Sequence, residues 1–202
     1  MFDQPLLIAS NNLDKTAELA ACLQSFAIAA QSYQTVNPRL AFPSEGTSSY
    51  FQNARQKALF IAQKLPKHSI LADDSGMLVA AYPQRFGVQT SRQLAAYPGD
   101  AAKNQYLIAL VAGQDRHVTL RTDLVLWTPN HRLYHSVGVF TGTFSHEERG
   151  QNGFGFDKIL IPDAQTKTLA EMTTAEKLPF LHRTKAVKNL LEKVAHDQYE
   201  SI

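Results

Sequence analysis

A single cysteine, Cys22, stands in the 202 residues of this chain. That excludes an internal disulfide and any thiolate cage for zinc. Long apolar runs are also missing, and the longest fall far short of the roughly 18 residues of a membrane span. The opening Met1-Phe2-Asp3-Gln4 leads almost directly into Leu6-Leu7-Ile8-Ala9, so a basic leader with a cleavage site is not expected. Neither charge dominates: 20 Lys+Arg against 18 Asp+Glu leave a formal +2, and no Lys/Arg block occurs. An extended nucleic-acid groove is therefore not expected, and neither is a membrane partner. The Walker pattern G-x-x-x-x-G-K-[ST], the dinucleotide pattern G-x-G-x-x-G, the G-x-S-x-G elbow and H-E-x-x-H are all absent. His131 and His135 would lie about 13 Å apart on an extended strand, too far to share a metal. There is no repeat, no low-complexity segment and no Pro/Gly/Ser linker.

What is present is the composition of an ordinary globular protein, 44% apolar and 19% charged. At about 150 residues per domain, residues 1–202 read as one domain. The expected setting is the cytoplasm. Leu6 to Ala9 reads as a strand buried on both faces. A helix follows from Leu13, with Ala17, Ala20 and Leu23 at helical spacing. A stronger helix spans 48–65, with Phe51, Ala54, Ala58, Ile61 and Leu65 on one face and Ser48 as a candidate cap. Ser69 to Ala72 reads as a strand that stops at Asp73-Asp74-Ser75-Gly76. Residues 101–111 look helical. Alternation over Val118–Leu124 and Leu133–Val139, around Thr128-Pro129-Asn130, predicts an antiparallel hairpin. Ile159-Leu160-Ile161 is a further strand, and a helix bearing Ala186, Val187, Leu190, Leu191 and Val194 closes the chain. The fold class is α/β: a mixed sheet flanked by helices.

Polar clusters gather where these elements end. Ser10-Asn11-Asn12-Leu13-Asp14-Lys15 joins a strand to a helix, where free N–H groups and Lys15 favour an anion. The same residues also serve as a plain N-cap. Glu45 precedes the helix that carries Asn53, and by itself reads as a solvated loop carboxylate. Asp73-Asp74-Ser75-Gly76 sets two carboxylates side by side, an arrangement suited to a hard cation, or to a water that needs a base. An Asx-turn with Gly76 at positive φ is the alternative. In extended chain, neighbours point to opposite faces, so one of the two Asp side chains would enter a site. Gly150 to Asp157 (Gly-Gln-Asn-Gly-Phe-Gly-Phe-Asp) offers close backbone approach and two rings, Phe154 and Phe156, for stacking on a base. Lys177, His182 and Arg183 add donors for a carbonyl or a phosphate.

Taken in order, these segments resemble the inosine triphosphate pyrophosphatase family. Ser10-Asn11-Asn12-x-x-Lys15 is similar to its [ST]-x-N-x-x-K loop. Glu45 with Asn53-Ala54 resembles its metal-binding Glu and E-N-A helix. Ala72-Asp73-Asp74-Ser75-Gly76 is similar to A-D-D-S-G, and Gly153-Phe154-Gly155-Phe156-Asp157 to G-F-G-[YF]-D. Ala170-Glu171-Met172, Glu176-Lys177 and His182-Arg183 follow its A-E-[LM]…E-K…S-H-R tail. The resemblance covers about residues 6–195.

It implies an elongated mixed sheet flanked by helices, with two lobes around a central cleft, and a homodimer. It also implies Mg²⁺-dependent hydrolysis of non-standard purine nucleoside triphosphates (ITP, dITP, XTP) to the monophosphate and pyrophosphate. Under that resemblance Ser10, Asn12 and Lys15 hold the phosphates, and Glu45 and Asp74 hold Mg²⁺. Asp74 is also the general base, with Asp73 supporting it. Ser75 touches the substrate, while Phe154, Gly155, Phe156, Asp157, Lys177, His182 and Arg183 surround the base and its 6-oxo group. Four places depart from the pattern: Leu181 replaces Ser, Lys158 replaces Pro, Gln52 replaces Glu, and Gln84–Arg92 replaces a Gly-x-Pro-Gly-x-[YF]-S-x-R stretch. The phosphate half is intact and the base half is altered. That leaves a broad or shifted base preference, or a non-catalytic nucleotide-binding relative, as alternatives.

Overall fold

The computed structural model describes residue 2 and residues 4–200. In chain order the strands are β1 (Leu6–Ile8), β2 (Ala30–Ser32), β3 (Ile70–Val79), β4 (His117–Trp127), β5 (Leu133–Phe144) and β6 (Leu160–Pro162). The helices are α1 (Leu13–Gln24), α2 (Tyr50–Ala62), α3 (Thr90–Gln93), α4 (Gly99–Leu110), α5 (Thr174–Lys177) and α6 (His182–Glu200), with 3₁₀ turns at Tyr33–Thr35 and Leu169–Glu171. The strands form one six-stranded sheet in the order β2-β1-β3-β4-β5-β6. β1 is parallel to β2 and β3, whereas β6 is antiparallel to β5, so the sheet is mixed. No helix among the described residues is long and apolar enough to cross a membrane.

Two compact units divide the chain. The first comprises Met1–Ser75, Thr122–Gly138 and Arg183–Ile202; the second comprises Gly76–Arg121 and Val139–His182. The core of the first unit joins Leu7 and Ala9 of the β1 region, Ile70 and Ala72 of β3, and Val125 and Trp127 of β4 to Ala54, Ala58, Ile61 and Ala62 of α2. Small alanines on α2 let that helix lie close to the sheet. Ile70 and Ala72 alternate along β3, so the next residue of their row, Asp74, faces α2, and Asp73 faces the opposite side. The second unit buries Leu107 of α4 together with Phe140 and Phe144 of β5.

Several expectations change at this level. The strand does not stop at Asp73. It continues through Ser75 and Gly76 to Val79, and Gly76 is not among the residues at positive φ. The Asx-turn alternative therefore falls. Helix α1 buries Thr16, Leu19, Cys22 and Leu23, while Ala17 is exposed. Its buried stripe thus lies one residue away from the Ala17-Ala20 row. Helix α2 begins at Tyr50 and its cap is Ser49, whose hydroxyl accepts from the Gln52 N–H, rather than Ser48. His131 sits in the β4–β5 turn at φ +62°.

Candidate active site

The carboxylate of Asp74 is nearly buried at the α2 face of β3. Its Oδ2 accepts from Asn53 Nδ2 at 2.9 Å. The same Asn53 amide accepts from the Gly46 N–H at 2.8 Å and donates to the Gly46 carbonyl at 3.2 Å. One buried amide on α2 thus ties the loop bearing Glu45 to the end of the Asp74 side chain. Lys57, one turn further along α2, places Nζ 2.9 Å from Glu45 Oε1 and 3.8 Å from Asp74 Oδ1. Both expected metal carboxylates therefore already face a cation. Burial pushes the Asp74 carboxyl up, and Glu45 adds to that rise; Lys57 and the Asn53 hydrogen bond offset only part of it. Burial would lower Lys57, but Asp73, Asp74 and Glu45 together raise it.

On the other face of β3 lies a second buried cluster. Asp73 Oδ2 accepts from Ser75 Oγ at 2.9 Å, and it faces Lys15 Nζ at 3.8 Å and Arg183 Nη2 at 3.4 Å. Burial would raise this carboxyl, but Lys15, Arg183, Lys57 and the Ser75 hydroxyl hold it well below the usual range. Arg183 also pairs with Glu18 through Nη1 and donates to Ser75 Oγ at 3.2 Å. Its Nε has no partner among the described residues. The Ser75 hydroxyl further meets Thr122 Oγ1 at 2.7 Å. Asp73 favours the charged form of Lys15, yet burial, Arg183 and Lys57 outweigh it and lower Lys15. Ser10 and Asn12 lie in the loop that starts α1, the helix that carries Lys15. Asn12 caps α1 by accepting from the Lys15 N–H at 3.0 Å, and Ser10 Oγ accepts from the Asn12 N–H at 3.1 Å. The N-cap and the strand-to-helix loop are one and the same feature.

The remaining expected residues, apart from Arg183, belong to the second unit. Asp157 Oδ2 accepts from Lys177 Nζ at 2.7 Å, with both side chains buried. Gly153, at φ +92°, packs against that pair; a Cβ there would stand 1.9 Å from Asp157 Oδ2 and 2.6 Å from Lys177 Nζ. Gly155 is at φ +61°. Phe154 and Phe156 are half-buried, and His182 and Leu181 are buried. Within the first unit, then, the structure brings together Lys15, Asp73, Ser75 and Arg183 on one face of β3, with Ser10 and Asn12 at the start of the helix that carries Lys15. Glu45 and Asp74 meet on the other face. Within the second unit it joins Phe154 to Asp157 with Lys177.

Two residues outside the motif reading, Lys57 and Glu18, belong to these clusters. Lys57 and Glu18 each resemble a solvated helix charge in sequence. Asn53 belongs to the E-N-A resemblance, but it lies about 100° round α2 from Ala54 and off the expected apolar row, so periodicity alone does not mark it. No group of three or more His, Cys, Asp or Glu able to hold a metal occurs among the described residues. The donor set at the α2 face is a pair of carboxylates.

A family model described as the Ham1 family matches residues 6–193. The chain is 43% identical over 188 residues to a dihydroneopterin triphosphate diphosphatase from Limosilactobacillus reuteri, covering 93% of this chain and 96% of that protein. It is 34% identical over 193 residues to a dITP/XTP pyrophosphatase from Leuconostoc mesenteroides, covering 94% and 96% respectively. Its backbone is similar to that of a HAM1 protein from Coxiella burnetii, with a TM-score of 0.77 at 28% identity, covering 95% of this chain and 98% of that one.

Proposed function

The chain belongs to the Ham1 family, and from that premise we propose that it hydrolyses the α–β phosphoanhydride of nucleoside triphosphates. The products are a monophosphate and pyrophosphate, and the proposed substrates are the non-standard purines ITP, dITP and XTP. The whole chain, residues 1–202, is read as one domain of this family, cytoplasmic and homodimeric. The observation that carries the reading is the Glu45–Asn53–Asp74 arrangement, with Lys57 against both carboxylates.

Glu45 and Asp74 would hold Mg²⁺. The donor set fits, since Mg²⁺ takes one or two carboxylates and completes its octahedron with phosphate oxygens and water. The ion, when bound, supplies charge neutralisation at the phosphates and makes a nearby water more acidic. The chain's own side chains do the rest. Lys15 and Lys57 offset the charge of the triphosphate, and Ser10 and Asn12 shape the helix start that meets it. Asp74 takes a proton from the attacking water. Its Oδ2 is fixed by Asn53, which leaves Oδ1 as the accepting atom. Asp73 supports this by anchoring Lys15 and Arg183, and Ser75 is the expected substrate contact beside it. On the base side, Phe154 and Phe156 flank the ring, Gly155 gives it close approach, and the Asp157–Lys177 pair backs the turn. His182 and Arg183 offer donors suited to a 6-oxo acceptor; an adenine amino group would leave such donors unpaired.

A second reading is favoured by a specific observation: the 43% relative carries a pterin substrate in its name, and the base-side segment is where this sequence departs from the resemblance. Dihydroneopterin triphosphate presents a keto and ring N–H edge like that of a 6-oxo purine, with its triphosphate on an open chain instead of a ribose. Pyrophosphate release with Mg²⁺ from dITP, XTP, dATP and dihydroneopterin triphosphate tests both readings. A lead for dITP and XTP supports the first, and a lead of about tenfold for the pterin supports the second. No release from any of them by folded protein overturns both.

A further inference from the structure

Helix α4 grips the glycine-rich turn by both backbone groups of one residue. The Gly155 N–H donates to Asp100 Oδ2 at 2.7 Å, and the Gly155 carbonyl accepts from Asn104 Nδ2 at 3.1 Å. Asp100 and Asn104 are four residues apart on α4, so their side chains share one face of the helix. A Cβ on Gly155 would meet nothing within 4 Å, so the clamp fixes a backbone conformation and does not relieve crowding.

Asn104 is fully buried. Its Nδ2 makes a second donation, to Glu148 Oε1 at 2.6 Å, while its Oδ1 has no partner among the described residues. A buried acceptor without a donor costs free energy that a leucine of similar volume avoids. What the amide provides at this position is its donors. The opposite end of the turn is fixed separately, by Gly153 against the buried Asp157–Lys177 pair.

We propose that Asp100 and Asn104 are positioning residues for base selection. By holding the Gly155 peptide from both sides they set the angle at which Phe154 and Phe156, its two neighbours, present their rings. This rests on the reading above that the turn meets the base.

The test compares Asp100→Ala, Asn104→Leu and Asp100→Asn with wild type, on the preferred triphosphate and on dATP. The ratio of kcat/KM for the two substrates is expected to fall about fivefold or more in Asp100→Ala and Asn104→Leu, mainly through KM. Asp100→Asn is expected to restore the ratio, because a carboxamide oxygen still accepts from the Gly155 N–H. A merely structural role would move the melting temperature and leave the ratio alone. Should Asn104→Leu fail to fold, Asp100→Ala, at an exposed position, carries the test by itself. An active wild type whose ratio stays within about twofold in Asp100→Ala, or an Asp100→Asn no better than Asp100→Ala, overturns the clamp. A folded wild type inactive on every triphosphate sinks the reading on which the clamp rests.

Discussion

Replacing Asn53 by alanine removes three hydrogen bonds at one stroke: two to the Gly46 backbone, at 2.8 and 3.2 Å, and one to Asp74 at 2.9 Å. A neutral hydrogen bond contributes about 1 kcal/mol net and one to a charged group about 1.5–3 kcal/mol. Gly46 is exposed and regains water, so the sum comes to about 2–4 kcal/mol. For a chain of this size that lowers Tm by roughly 5–15 °C. The functional effect is separate. Without the amide, the Glu45 loop and the Asp74 carboxylate are no longer tied together, and loss of such an outer support weakens metal affinity by about 10–100-fold. Pyrophosphate release measured against Mg²⁺ concentration reads this as a rightward shift, with most of the maximal rate recovered at high Mg²⁺. An unchanged half-saturating Mg²⁺ concentration would show that Asn53 does not hold the two carboxylates for the metal.

Asp74→Asn keeps the Asn53 hydrogen bond and removes a charge that burial disfavours, so metal-free stability should hold or rise by up to about 1 kcal/mol. Turnover should fall by about 10²–10⁴-fold; thermal melting in EDTA and steady-state rates check the two halves. Gly153→Ala forces a Cβ into the Asp157–Lys177 pair at positive φ, and should cost about 2–5 kcal/mol in urea unfolding. A loss below about 0.5 kcal/mol would show that the turn yields freely. Asp73 has a folded pKa below its unfolded one, so its stabilisation is complete above about pH 4 and lost as pH falls below that. In metal-free buffer Asp73→Asn should flatten the acid side of the stability curve, apart from a small opposite slope from Asp74. A wild-type-like acid slope in Asp73→Asn would contradict the ion-pair assignment.

Much of this was legible in the sequence because it depends on local geometry. The opposite facing of Asp73 and Asp74 follows from extended chain alone, and the Asn12 cap follows from the residue preferences of helix starts. Asp-Asp-Ser-Gly has turn chemistry, so the sequence predicts an end to the strand where β3 in fact continues to Val79. Cationic partners on α1, α2 and α6 stabilise those carboxylates inside a strand, and their positions are tertiary. The stripe of α1 was misplaced because Thr16 and Cys22 bury as readily as the alanines beside them. Strand β2, Ala-Gln-Ser, carries no apolar alternation and exists through its pairing with β1. Lys57 and Asn104 act on groups distant in sequence, a carboxylate pair and the Gly155 peptide, so no local pattern marks them as site residues.

Hydrolysis between the α- and β-phosphates at the Asp74 site leaves a distinctive pair of products. Phosphorus NMR of the products from the preferred triphosphate and Mg²⁺, with wild type and Asp74→Asn side by side, tests it most directly. Monophosphate and pyrophosphate in equal amounts are expected from wild type, with no early orthophosphate and almost no product from Asp74→Asn. Stepwise orthophosphate release, or an Asp74→Asn variant as fast as wild type, would contradict hydrolysis at that site.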